Sequence, residues 1–201
     1  MKTFKSKPLA AFFGFVAIVG ASSANATVIN FESLADTGNT VSWVADGYTE
    51  SGFMFNSSDH IGSPSAFAAW DTDSSHFPGS TSLFNNFADS VTTMTMVGGG
   101  PFDVNSIDLA CVYLDGSTQA VTFTGTRPDL STDVESFDLT NPNVLTTFNF
   151  SGMTGIDKLE WAQSAPFHQF DNIVINSVPE PASLLVLGVG VLAIARRRKS
   201  A

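Results

Sequence analysis

Acidic residues are the most numerous ionisable groups in this sequence. Only Glu180 of the 19 Asp and Glu residues lies outside residues 27–177, so an acid and a base for glycoside hydrolysis could be drawn at many places. No single pair is therefore a specific candidate. The sequence also lacks the Gly-x-Ser-x-Gly, His-Glu-x-x-His and phosphate-loop motifs. It assigns no catalytic residue.

One carboxylate, that of Asp171, is expected to be buried. Asp171 shares strand parity with Ile173 and Ile175, so it points inward if those two residues face the core. A buried carboxylate is unfavourable unless it is paired or bound to a metal, and residues 27–177 contain only two basic side chains. We therefore expect Asp171 to bind a structural Ca²⁺. The alternative is that it accepts backbone hydrogen bonds at the end of its strand.

The three tryptophans could offer stacking platforms to sugar rings, which need flat apolar surfaces beside hydrogen-bonding groups. Trp161 lies in the strand-like segment Leu159-Glu160-Trp161 and is expected to be a core residue. Trp70 lies in a region rich in Ser, Asp, Gly and Pro, residues 59–86, which predicts long loops with short strands. Trp70 is therefore the predicted ligand platform, chosen over Trp43 and Trp161.

Short runs with a period of two predict strands through most of the chain. Residues 121–124 alternate apolar side chains with hydroxyls, and residues 144–150 place alternate side chains on one side. Further strands are predicted at residues 28–34, 52–56, 91–96, 105–114, 134–139, 158–162 and 167–175. No helical period of ten or more residues occurs between the two ends of the chain. The sequence predicts an all-β fold, an antiparallel β-sandwich whose two sheets cover each other's apolar faces.

The N-terminal region has the three parts of a cleavable secretory signal. Three lysines precede an apolar segment at residues 9–20, and small residues follow it. Ala24 and Ala26 stand where signal peptidase recognises small side chains, so cleavage is expected after Ala26. Residues 1–26 are therefore predicted to be a signal peptide with a short helix, and the protein is predicted to be exported.

The C-terminal region combines a short motif, an apolar run and a basic cluster. The motif is Pro179, Glu180 and Pro181, and the basic cluster is Arg196, Arg197, Arg198 and Lys199. The apolar run, residues 182–195, would rise about 21 Å as a helix, and extension to Pro179 with snorkelling of the arginines brings it close to the thickness of a bilayer. It predicts one transmembrane helix whose basic end stays in the cytoplasm.

These three parts resemble the PEP-CTERM sorting signal of bacterial exported proteins. Pro179, Glu180 and Pro181 match its motif, residues 184–195 its transmembrane segment, and the four basic residues its terminal cluster. The resemblance implies an inner-membrane intermediate, recognition and cleavage by an exosortase, and release or attachment at the surface of a Gram-negative-type bacterium. It also implies an association with exopolysaccharide, because such proteins are common in bacteria that make it.

Segments spread over residues 27–177 resemble a β-sandwich domain that occurs in front of this tail and looks like a jelly-roll carbohydrate-binding module. The resembling segments are residues 28–32, 47–53, 102–110, 121–125 and 170–175. Jelly-roll modules often tie their first and last strands through a structural ion. The resemblance therefore implies Glu32 as a second Ca²⁺ ligand beside Asp171, although Glu32 has the opposite strand parity to Ile29 and Phe31.

Size and charge limit the function of the central part of the chain. Residues 27–177 are expected to form one domain, between the signal peptide and the sorting signal at residues 178–201. With 18 acidic residues against Arg127 and Lys158, its formal charge is −16. Phosphate groups are bound by clustered Lys and Arg, so nucleic acid is excluded as a partner.

Together these observations predict a non-catalytic protein of the cell surface or extracellular matrix that is associated with exopolysaccharide. The alternative is a polysaccharide-modifying enzyme on the same scaffold. A deep cleft with converging carboxylates would indicate the enzyme, whereas a shallow aromatic face would indicate binding. Apart from the structural Ca²⁺, no cofactor is predicted.

Overall fold

The computed structural model describes residues 26–113, 118–164 and 167–177, which belong to the compact unit Ala24–Pro179. These residues form 13 β-strands and a short 3-10 helix, Glu32–Leu34. The strands are β1 (Ala26–Ile29), β2 (Val41–Val44), β3 (Tyr48–Glu50), β4 (Phe53–Ser57), β5 (Phe67–Trp70), β6 (Leu83–Asn85), β7 (Val91–Met96), β8 (Phe102–Cys111), β9 (Gln119–Thr126), β10 (Thr132–Leu139), β11 (Thr146–Asn149), β12 (Lys158–Ala162) and β13 (His168–Ser177).

The strands make two antiparallel sheets. The seven-stranded sheet has the order β11-β8-β13-β6-β5-β2, with β1 also paired to β13. The six-stranded sheet has the order β10-β9-β12-β7-β4-β3. Both sheets contribute residues to one hydrophobic core, so the predicted antiparallel β-sandwich is confirmed.

The core forms because each strand turns its apolar residues to one side. In β9, Val121 and Phe123 are buried, whereas Thr122 between them is exposed. Trp161 of β12 is 2% exposed and its ring lies 4.9 Å from that of Phe170 in the opposite sheet, edge to face. The expectation that Trp161 is a core residue is confirmed.

The beginning of the domain differs from the prediction. The strand expected over residues 28–34 ends at Ile29, and Glu32 lies in the 3-10 helix that follows. Phe31 has a left-handed backbone conformation, with φ of 51°, which turns the chain out of the strand while the Phe31 ring stays in the core. Glu32 is therefore not a residue of the first strand.

Asp171 is buried, but on the face opposite to the one predicted. It is paired with Asp108 of β8, and Asp108 lies between the core residues Ile107 and Leu109. Both carboxylates therefore project from the outer face of the seven-stranded sheet, which we define as the face away from the core. The cause is an irregularity in β13, where the register shifts and Asn172 has a left-handed φ of 45°.

The two terminal predictions fall on other parts of the chain. Apart from Ala26, which begins β1, the signal peptide lies outside the described residues, as do the sorting motif, the apolar run and the basic cluster. Among the described residues, no helix is long and apolar enough to cross a membrane. Signal cleavage after Ala26 stays a prediction.

Candidate functional site

A cluster of aromatic side chains covers part of the outer face of the seven-stranded sheet. Trp43 precedes the core residue Val44 in β2, and Trp70 lies three residues after the core residue Phe67 in β5. Since side chains alternate along a strand, both tryptophans project outward, as does Phe84 of β6. We call this cluster the aromatic face; it comprises Trp43, Trp70, His76, Phe84, Tyr113 and Phe167.

The rings of the aromatic face support one another. Trp70 stacks on Phe84, with 5.6 Å between ring centroids and 20° between ring planes. The His76 ring lies 4.6 Å from that of Trp70 and 4.8 Å from that of Tyr113. Trp43 is 58% exposed and Tyr113 is 48% exposed, so these two rings present the largest apolar surface to solvent.

Between these rings lies an open depression of about 160 Å³. It is lined by Val41, Trp43, Trp70, Phe84, Asn86, Val112, Tyr113 and Phe167. This volume is well below the roughly 300–1,000 Å³ of pockets that enclose a drug-sized ligand. The depression can therefore support one side of a ligand but cannot enclose it.

The loop that carries His76 is fixed to the sheet by Gln169, a buried residue of β13. The Gln169 Nε2 donates a hydrogen bond of 3.0 Å to the His76 carbonyl oxygen, and the Ser82 hydroxyl donates one of 2.6 Å to Gln169 Oε1. Both the donor and the acceptor of this buried amide are thus satisfied. This places His76 over the sheet beside Trp70.

The edge strand β2 is held to β5 by the buried carboxylate of Asp71. Asp71 Oδ2 accepts a hydrogen bond of 2.8 Å from the Thr40 hydroxyl, and Oδ1 accepts one of 3.1 Å from the Ser42 hydroxyl. These charge-assisted bonds hold the two residues Thr40 and Ser42, which shortly precede Trp43 in the sequence. They give the most exposed ring of the aromatic face a fixed support.

Trp70 does not occupy the polar loop in which the sequence placed it. It is the last residue of β5, half-buried, and its indole Nε1 is buried with no hydrogen-bond partner in the described part of the chain. Trp70 therefore forms the floor of the aromatic face, and Trp43 is its exposed ring. The sequence pattern that indicates an exposed Trp43 is the alternation of Val41, Ser42 and Trp43 before the core residue Val44.

The Asp171 carboxylate has neither a charged partner nor a normal hydrogen bond. The side chain is 0% exposed, and neither oxygen has a hydrogen-bond partner among the described residues. Burial raises the pKa of Asp171 to about 7, the negative charges of Glu32 and Asp108 add to the rise, and the nearby Ser80 side chain and Asn172 backbone oppose it. The expected backbone capping of Asp171 is therefore weak.

Glu32 approaches Asp171 but is engaged by the loop before β6. Glu32 Oε1 accepts a hydrogen bond of 2.7 Å from the Ser80 hydroxyl, and this bond is the main cause that lowers the pKa of Glu32. The Thr81 hydroxyl donates to Oε2 at 3.2 Å. Within the described ranges, no group of three or more His, Cys, Asp or Glu side chains is placed to hold a metal ion.

Cys111 and His168 are a thiol and an imidazole that the seven-stranded sheet places opposite each other. They face each other across β8 and β13, but both are fully buried. Burial raises the pKa of the Cys111 thiol to about 11 and lowers the pKa of His168 to about 3. Neither ring nitrogen of His168 has a hydrogen-bond partner within the described residues. The thiol is therefore not activated as a nucleophile.

The tail matches a known protein family. Residues 177–199 match the PEP-CTERM protein-sorting motif, which confirms the resemblance of the three C-terminal parts. The chain thus carries the sorting motif of an exported protein that passes through a membrane-anchored intermediate and is recognised by an exosortase in Gram-negative-type bacteria. A search of curated proteins finds no significant match to this sequence.

Solved structures with a similar fold are β-sandwich carbohydrate-binding modules. A family 29 module complexed with mannohexaose has a TM-score of 0.44 and 9% identity, covering 77% of this chain and 93% of its own. A family 29 module from Piromyces equi has a TM-score of 0.42 and 10% identity, covering 81% of this chain and 98% of its own. Similarity at this level carries no information about a ligand of this chain.

Proposed function

We propose that this protein is a non-catalytic, exported β-sandwich protein that binds polysaccharide through the aromatic face. The observation that carries the proposal is the pair of exposed rings, Trp43 and Tyr113, beside an open depression. Exposed aromatic rings cost free energy in water and are concentrated where proteins bind ligands. Flat rings next to polar groups such as the Asn86 amide suit sugar rings, which have both apolar faces and hydroxyls.

The alternative of a polysaccharide-modifying enzyme has less support. The described residues that line the depression include no carboxylate, imidazole or thiol, and the depression is too shallow to exclude water from a reaction. The buried Cys111 thiol is held in its protonated form by its raised pKa. The binding proposal therefore uses rings that are exposed, whereas a glycoside hydrolase would need a pair of carboxylates, and none is among the described residues that line the depression.

We further propose that the protein acts at the cell surface or in the extracellular matrix, where exopolysaccharide is its partner. The sorting motif at residues 177–199 supports the route. Intact-mass analysis of protein from the native host should reveal a species without residues 1–26 and without the basic cluster. Recovery of only the full-length chain would contradict this route.

The position of Asp171 supports the proposal of a structural Ca²⁺ at Asp171 and Glu32. The irregularity in β13 turns Asp171 to the outer side of the sheet, the side on which Glu32 lies, and the two charges interact. An orphaned buried carboxylate fits a hard cation that takes oxygen ligands. Asp171 would supply one carboxylate and Glu32 another, with backbone carbonyls and water completing the coordination.

The binding proposal is tested by affinity electrophoresis of the full chain in polysaccharide gels, with a sugar-free polyoxyethylene detergent to cover the apolar tail. At least one polysaccharide should retard the chain, and Trp43→Ala should weaken that retardation at least tenfold, because this ring is exposed and positioned to stack. Trp43→Phe, which keeps a flat ring, is the matched control and should keep most of the binding. Retardation unchanged in Trp43→Ala would contradict the proposal.

A further inference from the structure

Resting on the proposed function, we infer that the aromatic face takes uncharged polysaccharide chains and discriminates against acidic ones. The first observation is the chemistry of the depression, whose described lining residues are apolar and aromatic side chains together with the Asn86 amide. Among the described residues, none that lines the depression carries a formal charge. A sugar carboxylate or sulfate placed there would lose water without gaining an ionic partner.

The second observation is where the positive charges lie. Arg127 and Lys158 are the only Lys or Arg residues among residues 26–177, and both lie at the six-stranded sheet, Arg127 directly after β9 and Lys158 at the start of β12. Arg127 is paired with Asp133, and Lys158 Nζ lies 2.8 Å from a Glu160 carboxylate oxygen. The seven-stranded sheet therefore offers no Lys or Arg to an anionic sugar in the described residues.

The third observation is the charge of the domain as a whole. Eighteen acidic residues against two basic ones give it a strongly negative field, which repels a polyanion before any contact is made. Proteins that recognise carboxylate or sulfate groups use Arg or Lys to form charge-assisted hydrogen bonds. Here the field and the lining of the depression act in the same direction, and both favour an uncharged chain.

The experiment compares polymers that share a backbone, using affinity electrophoresis of the full chain in the sugar-free detergent. Hydroxyethylcellulose is paired with carboxymethylcellulose, and dextran with dextran sulfate. Because the basic ends of the full chain could attract polyanions, binding by the aromatic face is defined as the part that Trp43→Ala removes. A neutral polymer that is bound should show at least tenfold tighter face-dependent binding than its acidic derivative at low salt, and 0.5 M salt should narrow the gap.

A variant with an added positive charge tests the inference through an increase in binding of the acidic polymer. Val41→Lys places a cation in the depression on the edge strand β2 and should increase face-dependent affinity for the acidic polymer several-fold. Val134→Lys adds the same charge to the exposed outer side of the edge strand β10 and should not. Equal or tighter face-dependent binding of the acidic polymer by the unsubstituted chain would overturn the inference while leaving the proposed function intact. Failure of every neutral and acidic polymer to bind would overturn both.

Discussion

The outer faces of the two sheets have the same strand spacing but opposite chemistry. In the six-stranded sheet, one row across the strands reads Thr132, Thr126, Lys158, Thr95, Met54 and Thr49. The row two residues along reads Val134, Thr124, Glu160, Thr93 and Asn56. The outer face of the seven-stranded sheet instead carries the aromatic face, in which tryptophan and other aromatic rings replace the threonine-rich rows of the six-stranded sheet.

This difference separates a surface that needs no partner from one that does. Threonine has a high strand propensity and a hydroxyl that water satisfies, so a threonine-rich face is an ordinary solvent-exposed sheet surface. The Lys158–Glu160 pair also interrupts its rows. The apolar ring surface of an exposed tryptophan is unfavourable in water. Under the proposed function, the aromatic face binds the ligand, whereas the outer face of the six-stranded sheet, with the two rows named above, meets solvent; we call it the threonine face.

The two faces share one core, and the largest expected effect follows from removing that support. Trp161→Ala deletes a 2%-exposed ring packed against Phe123 and Phe170, so the free energy of unfolding should fall by roughly 3–5 kcal/mol. Urea denaturation monitored by circular dichroism measures this loss. Polysaccharide binding should weaken only in proportion to the unfolded fraction. A stable Trp161→Ala variant would show that the sheets do not depend on this contact.

Next in size is the effect of the buried Asp171 carboxylate, which has no counterpart among the described residues of the six-stranded sheet. The folded-state pKa of Asp171, about 7, lies above its ordinary value, so its contribution to stability is greatest below about pH 4 and is lost as pH rises through 7. In chelator, Asp171→Asn should abolish this loss and be more stable than the unsubstituted chain above pH 7 by up to about 4 kcal/mol. Melting curves from pH 4 to pH 8 measure the difference, since the other carboxylates are common to both chains.

The effect of calcium on melting distinguishes two states of Asp171, bound to a metal ion or buried without one. If the ion binds, a hundredfold excess over Kd stabilises the fold by about 2.7 kcal/mol, and the unsubstituted chain should melt several degrees higher in millimolar Ca²⁺ than in chelator at pH 8. Asp171→Asn should melt at the same temperature in both. Identical melting of the unsubstituted chain with and without calcium would leave Asp171 as a buried carboxylate without a metal.

The sequence predicted which side of a regular strand is buried better than it predicted which side chains lie next to one another. Alternation at Thr122 and Phe123 indicates which side of β9 is buried, because that rule is local. The predicted face of Asp171 was wrong because the parity rule assumes a regular strand. The left-handed backbone conformation of Asn172 interrupts the regular alternation of β13. The neighbours of Trp70 could not be predicted, because Phe84 and His76 reach it through the pairing of β6 with β5 and the fold of the loop between them, which no local pattern encodes.

An intermediate effect is expected for Trp70, which belongs partly to the fold and partly to the aromatic face. Trp70→Ala removes a half-buried ring stacked on Phe84, so it should lower the free energy of unfolding by about 1–3 kcal/mol. It should also weaken polysaccharide binding, because Trp43 would lose the floor beside it. Trp43→Ala should weaken binding while changing stability by less than about 0.5 kcal/mol. The reverse order of stabilities would mean that Trp43 is the supporting ring.

The smallest effect is expected on the threonine face, and it tests the comparison directly. Thr124 lies in the middle of a row, half-exposed, between Val134 and Glu160 of the neighbouring strands. Thr124→Ala removes a hydroxyl and a methyl group that contact mainly solvent, so stability should change by no more than about 0.5 kcal/mol. Retardation in polysaccharide gels should equal that of the unsubstituted chain. A substitution on a surface that contacts only water should not change ligand binding. A loss of binding in Thr124→Ala as large as that in Trp43→Ala would therefore show that the ligand binds to the six-stranded sheet.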